Sequence, residues 1–267
     1  MNGLRLYLRY ASASLRGQAQ YPASAALLIV GQFFATIVEL AAVWALFERF
    51  GSVQGWRYGE VALFYGLVNA QFALADMLTR GFDVLGAELL RTGAFDRLLL
   101  RPRALTLQLT GHDVRLSRLG RVATGVVVVV FATRAVPIDW TAATVLLALW
   151  ALAGGVALFC GILVLQATLA FWTIDSLEVA NVLTYGGVEA GQYPLSIYER
   201  WFRQFLTFAV PLACVAYFPV LVILGRTDPL GSPPWVGTVS PAAGFMFLAL
   251  SSVAWNRGVG HYASSGT

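Results

Sequence analysis

From residue 142 to residue 172 the chain runs without a single charged side chain. An α-helix rises about 1.5 Å per residue and a bilayer core is about 30 Å thick, so about 20 apolar residues suffice to cross it. This stretch exceeds that length, which predicts a membrane helix that tilts or projects into water. Five further apolar runs have the length of a span: residues 23–46, 61–78, 119–136, 205–224 and 236–255. The first is interrupted by Gln32 and Glu39, and the second carries Asn69, Gln71 and Asp76. Pro211 and Pro219 lie inside the fifth, and Pro241 lies near the start of the sixth. Composition agrees, with 58 % hydrophobic and only 12 % charged residues. A soluble domain needs about a quarter of its residues charged to solvate its surface. The expected fold is an all-α membrane protein of six transmembrane helices, one domain over residues 1–267.

Residues 1–20 differ in character from the apolar runs. Arg5, Arg9, Ser12 and Arg16 fall on one helical stripe, and Leu4, Tyr7, Leu8, Ala11 and Leu15 on another. That spacing predicts a basic amphipathic helix lying in the membrane interface. With Arg every few positions and no apolar core, the segment lacks the character of a cleavable signal peptide.

Orientation follows from arginine, the only basic residue type besides two histidines. With the N-terminus in the cytoplasm, fourteen Arg fall inside, Arg200 and Arg203 among them. Four fall outside: Arg49, Arg57, Arg134 and Arg226. The positive-inside rule supports this arrangement, with cytoplasmic N- and C-termini. The same interleaving of Arg with apolar runs explains the net charge of +4 better than nucleic-acid binding does.

Two segments are expected in the cytoplasm. Residues 80–121 carry helical apolar spacing at Leu85, Leu89 and Leu90, broken by Pro102. Residues 173–203, with Asp175, Glu178 and Glu189, read as too polar to span alone, though residues 179–198 could partly re-enter. Within the first segment, Glu88, Arg91, Asp96 and Arg97 can form charge-assisted contacts. Leu89, Leu90 and Phe95 can supply an apolar anchor, as a docking element requires. The alternative is a solvated connector whose Arg serve topology and lipid contact.

The phosphate-binding signature GxxxxGK[ST] cannot occur in a chain without Lys. No HExxH and no CxxC is present. Cys160 and Cys214 lie inside apolar runs and read as small core residues. His112 beside Asp113 reads as an interfacial polar pair rather than a catalytic one. No metal site and no cofactor is expected on this chain. A membrane-embedded lipid-modifying enzyme, the alternative function, would gather several acids or His at one membrane face, whereas Glu39, Asp76 and Asp113 are scattered.

Several stretches carry a family resemblance. They are LRLYLRYASASLRGQAQYPAS at residues 4–24, FERFGSVQGWRYGEVALFYGLVN at 47–69 and RTGAFDRLLLRP at 91–102, then residues 171–220 with YPLSIY and LTFAVP, and the tail WNRGVGHYASSGT. In that order they resemble the ABC-2-type permeases, in particular six-span exporters often paired with a second, related permease. The resemblance implies a bacterial plasma (inner) membrane protein and a coupling segment at residues 80–103 that docks on a separate ATPase holding ATP and Mg. It further implies a second permease subunit, as homodimer or heterodimer, and export of a lipid-like, drug-like or glycan substrate.

Two intramembrane features bear on that function. Glu39 near the middle of the first span is costly unless it faces protein or a polar cavity. It either lines a substrate path or bonds Asn69 or Gln71 on the second span. Arg115, Arg118 and Arg121 share a helix face at the base of the third span. They either snorkel to lipid phosphates or line the cytoplasmic mouth of a dimer and recruit an anionic amphiphile.

Overall fold

The computed structural model describes residues 3–111, 115–172 and 177–262, and among these the architecture is helical throughout. The helices are α1 (Gly3–Ala19), α2 (Pro22–Phe50), α3 (Tyr58–Asp83), α4 (Ala94–Leu99), α5 (Leu105–Thr110), α6 (Arg118–Ala135), α7 (Ala142–Leu169), α8 (Leu177–Gly191), α9 (Arg200–Gln204), α10 (Phe218–Ile223), α11 (Trp235–Val239) and α12 (Ala242–His261). Their ends follow local chemistry. Helix α2 starts on Pro22 and stops at Gly51, whose φ is +70°. At the start of α3, Glu60 accepts from the Arg57 amide at 2.8 Å. Thr141 and Thr144 exchange bonds that cap α7. Helix α6 ends where Val136 turns extended ahead of Pro137.

Helix α3 is the axis of the bundle and packs on α6 and α7, while α12 lies against α7. Of its most apolar stretch 83 % is buried, against 56 % for α7 and 11 % for α2. Helix α2 thus sits at the rim with Leu27, Phe34, Val38 and Trp44 exposed, as expected of a helix solvated by lipid. Small residues set the closest approaches, as in membrane bundles generally. A methyl group on Gly66 of α3 would meet Gly125 O of α6 at 2.9 Å, and one on Gly244 of α12 would collide with Gly154 O of α7.

Among the described residues three helices, α2, α3 and α7, are long and apolar enough to cross a membrane. The fifth expected span, residues 205–224, is not a straight helix. Its two arms, Arg200–Ala209 and Ala213–Ile223, meet at 82°. The cause is local: Val210 precedes Pro211 and is extended (φ −122°, ψ 93°), which interrupts the helix. Both arms contain π-helical turns, at Phe205–Ala209 and Ala213–Tyr217. Arg200 and Arg203 on the first arm line the same recess as Asp228 and Ser232 beyond the second, so the pair folds back as a hairpin.

That geometry differs from the reading of residues 173–203 as one segment at a single end of the bundle. Helix α8 is anchored at one end of the bundle, where Thr184 Oγ1 donates to Gln166 at 2.8 Å and Gln166 donates to Asp83 at 3.1 Å. Just beyond α8, Ser196 accepts from Trp56 Nε1 at 2.9 Å at the opposite end. The chain from α8 to Ser196 therefore runs the length of the bundle. It brings Arg200 and Arg203 to the end that holds Arg57 and Arg226, not to the end that holds Arg80. At that shared end Arg226 clasps the loops. It donates to both oxygens of Glu60 at 2.9 and 3.0 Å and to Gly55 O at 3.0 Å, and its guanidinium lies 4.4 Å from the Trp56 ring.

The N-terminal helix α1 packs on α2 and α5. Gln18 accepts from the Leu116 amide at 2.9 Å, and Tyr7 shares a recess with Phe82 and Trp255. Both terminal helices thus gather at the end occupied by residues 80–111. The α7–α12 contact yields a prediction. Gly244→Val drives a branched side chain into the Gly154 backbone and should cost about 1–3 kcal/mol, read as a lower unfolding temperature of the purified protein in detergent.

Candidate functional site

Residues 65, 69, 72, 76, 80 and 83 recur at intervals of three and four and so share one face of α3. This face carries a ladder of polar contacts to the neighbouring helices. Nearest the clasped end, Tyr65 O–H faces Glu39 Oε2 at 2.9 Å and Thr36 O at 2.8 Å, both on α2. Glu39 therefore finds its partner in Tyr65 rather than in Asn69 or Gln71. One turn on, Asn69 accepts from Arg121 Nε at 2.8 Å and donates to Tyr65 O. The Arg121 guanidinium lies over the Phe72 ring at 5.2 Å. Further along, Asp76 is 1 % exposed and ion-paired with Arg118 Nε and, at 3.4 Å, with Arg80. Arg80 also pairs with Asp83 at 2.5 Å, and Asp83 takes the Gln166 bond from α7.

This arrangement bears on the basic stripe of α6. Arg118 and Arg121 turn into the bundle and engage Asp76 and Asn69; they do not reach outward to lipid phosphates. Arg115 stands half-buried at the head of the stripe. Two acids, the buried Asp76 and the partly buried Asp83, balance two cations, Arg80 and Arg118, so the quartet is neutral and internally paired. Such a set holds helices in register, since each member would be costly without the others. Sequence reasoning misses Asp76, Arg80 and Asp83 as site residues, although their i, i+4, i+7 spacing on the Tyr65–Asn69 face marks them.

Beside the ladder the surface opens laterally. Glu39 and Glu189 of α8 are both exposed, and Glu189 interacts electrostatically with Glu39 and with Arg121. Tyr185 of α8 is 40 % exposed on the same helix and packs edge-on against Phe72. Gln71 faces the other way: its amide donates to Ala151 O of α7 and to Val215 O of the hairpin, both at 3.0 Å.

The expected coupling segment has a different shape from the one its spacing suggests. It comprises a π-helical turn, Leu85–Leu90, then Gly93 in the left-handed region at φ +64°, then α4. Phe95 is fully buried, and Leu89, Leu90 and Leu98 join it in a core with Phe82, Leu109, Val164 and Trp255. Leu89, Leu90 and Phe95 therefore cannot serve as an exposed anchor, because they seal this segment to α3, α7 and α12. Asp96 accepts from Tyr262 O–H at 2.9 Å, which ties the segment to the tail. Burial and the Asp96 carboxylate together push the Tyr262 phenol above its ordinary pKa. Glu88 lies in the π-helical turn, and its side chain falls outside the described residues.

What the segment does expose is a cationic knuckle. Arg91, Arg97, Arg101, Pro102 and Arg103 are exposed, and Leu100 is 84 % exposed at its tip. Gln108, itself buried, donates to Leu98 O at 3.2 Å and to Arg103 O at 3.1 Å and so holds the knuckle closed from behind. His112, Asp113, Asp175 and the side chain of Glu178 lie outside the described residues. His261 meets only the Arg257 carbonyl and the Trp172 ring among the contacts seen. Among the described residues no group of three or more His, Cys, Asp or Glu is placed to hold a metal ion.

The family model of the ABC-2 family transporter proteins matches residues 33–266. The chain belongs to this ABC-2 transporter family. No curated protein and no solved structure matches it. The permease is thus a multi-pass transmembrane component of a transport system, and the family favours transport over lipid-modifying catalysis.

The ladder yields a direct test in this permease. Asp76→Asn leaves Arg118 and Arg80 facing a neutral group in the bundle and should cost about 3–5 kcal/mol. Thermal unfolding in detergent reads the loss. Adding Arg118→Met should restore part of it; a double variant no more stable than the single one would show that the pair is not its source.

Proposed function

We propose that this permease is the membrane-spanning subunit of an ABC exporter in the bacterial inner membrane, driven by a separate ATPase that binds the knuckle of residues 97–103. The observation that carries the reading is the knuckle itself. It presents an exposed Leu100 ringed by Arg97, Arg101 and Arg103, it is braced by Gln108, and its buried side is continuous with α3 and α12. An apolar tip within a charged ring is the pattern of an interface anchor. ATP and Mg belong to the partner, since the permease carries no Lys for a phosphate loop of its own.

In this reading six segments cross the bilayer: α2, α3, α6, α7, α8 with the turn after it, and α12. The hairpin of residues 200–223 dips in from the outer face and returns to it. Counting Arg200 and Arg203 as outer leaves twelve Arg inside and six outside, still a cytoplasmic excess. The knuckle and both termini are then cytoplasmic. A second permease subunit, identical or related, covers the exposed side of α2, so that Glu39, Glu189, Arg121 and Tyr185 line a path between the two subunits.

Two experiments test this. Leu100→Asp combined with Arg97→Glu and Arg101→Glu should abolish co-purification with the partner ATPase while leaving the unfolding temperature unchanged. Undiminished recovery of the ATPase would reject the docking surface. For the topology, single Cys residues replace Trp201 and Ser232 in a chain whose Cys160 and Cys214 are Ala. Both should react with an impermeant maleimide in intact cells. Labelling of Ser232→Cys alone would return Arg200 and Arg203 to the cytoplasm and remove the hairpin from the outer face.

A further inference from the structure

The bent hairpin leaves a wedge that its own side chains do not fill. Between its arms and α12 lies a groove of about 760 Å³, lined by Phe208, Pro211, Cys214, Met246, Leu250 and Ala254 among others. Phe208, Met246 and Leu250 are each more than half exposed, so the groove opens sideways onto the apolar flank of the bundle. Thr207, Phe208 and Phe218 also line a second recess of about 430 Å³, where Arg200, Arg203 and Gln204 meet Ser232. The two spaces thus adjoin, and each lies within the range of about 300–1,000 Å³ typical of small-ligand sites.

Their chemistry is divided. The groove is apolar along its length, and the recess at its mouth is cationic. Asp228 also borders that recess, leaving two guanidinium groups against one carboxylate there. Its oxygens accept from Tyr217 O–H at 2.7 Å, from the Leu230 amide at 3.0 Å, from the Ser232 amide at 3.2 Å and from the Ser232 hydroxyl. Among the described residues neither Arg200 nor Arg203 forms an ion pair. A net positive charge at the mouth of an apolar lane, on a chain surrounded by lipid, matches an amphiphile with an anionic head. Water cannot solvate the lane, and an uncharged lipid would leave the cations unanswered.

We propose that the hairpin and α12 form a binding site for an anionic phospholipid of the leaflet at that end. Arg200 and Arg203 hold the phosphate, and one acyl chain lies along the groove past Phe208 and Met246. The bound chain fills the wedge and props the two arms at their angle.

The full-length permease, purified from mixed phosphatidylcholine and phosphatidylglycerol nanodiscs, is released in the mass spectrometer and its retained lipid counted. The wild type should keep phosphatidylglycerol in preference to phosphatidylcholine. Arg200→Gln with Arg203→Gln should reduce that preference roughly tenfold or more, given the attraction of each basic residue for an anionic leaflet. Ala254→Phe, which blocks the lane and leaves both Arg, should reduce total lipid retention. Arg134→Gln, an exposed cation at the same end, should change nothing, and inorganic phosphate should not displace the lipid. Equal retention of both lipids by the wild type would overturn the site, as would an unaltered preference in the double variant. An equal loss in Arg134→Gln would assign the preference to diffuse charge, and displacement by inorganic phosphate would reduce the site to an anion pocket; either result rejects the proposal.

Discussion

The Asp76–Arg118 pair is the contact on which the bundle's arrangement turns. In a bilayer no water is at hand to solvate a polar group, so each one must be answered within the protein. Helix α3 carries Tyr65, Asn69, Asp76 and Asp83 on one face and turns that face to its neighbours. Tyr65 reaches α2, Asn69 and Asp76 reach α6, and Asp83 reaches α7 and, through Gln166, α8. Because these partners stand at fixed heights, a helix that slid by one turn would strand at least one charge. Apolar packing holds the helices together without fixing their relative height, whereas the ladder fixes it.

The same constraint governs the hairpin. Pro219 lacks an N–H, so the carbonyls four and five residues before it lose a backbone donor in helical registers. Those carbonyls, Val215 O and Cys214 O, accept instead from Gln71 at 3.0 Å and Ser240 at 2.7 Å. A break that would be prohibitive facing lipid is thereby tolerated inside protein. It also explains why Gln71 sits fully buried at the centre of α3. Its second bond, to Ala151 O, ties the bend to α7.

The uncharged and weakly charged helices were legible in the sequence because length and apolarity are local properties. Residues 23–46, 61–78 and 119–136 find α2, α3 and α6 within a few residues. The hairpin was not, because residues 205–224 are apolar enough for either a span or a re-entrant pair. Pro211 and Pro219 together were the only hint, and Val210 is where their effect shows. Helix α8 lies in residues 173–203, whose Asp175, Glu178 and Glu189 mark the segment as polar, and the bond from Thr184 to Gln166 that seats it against α7 leaves no trace in composition. In the coupling segment, helical spacing identified buried Leu89 and Phe95 as if they were exposed. Yet Leu98, Leu99 and Leu100 are consecutive and cannot share one helix face, so one of them had to point outward.

The two ends of the molecule are held in different ways. At one end Arg226, Glu60, Gly55 and Trp56 lock the loops by charge and stacking, a rigid closure. At the other, the knuckle rests on aromatic packing. Phe95 contacts Phe171 and Tyr262, and Phe171 and Phe82 contact Trp255 of α12. Close-packed side chains transmit displacement because they leave no void to absorb it. Phe95 and Phe82 therefore join residues 97–103 to α12 and to the foot of α3, where Asp83, Arg80 and Asp76 begin the ladder.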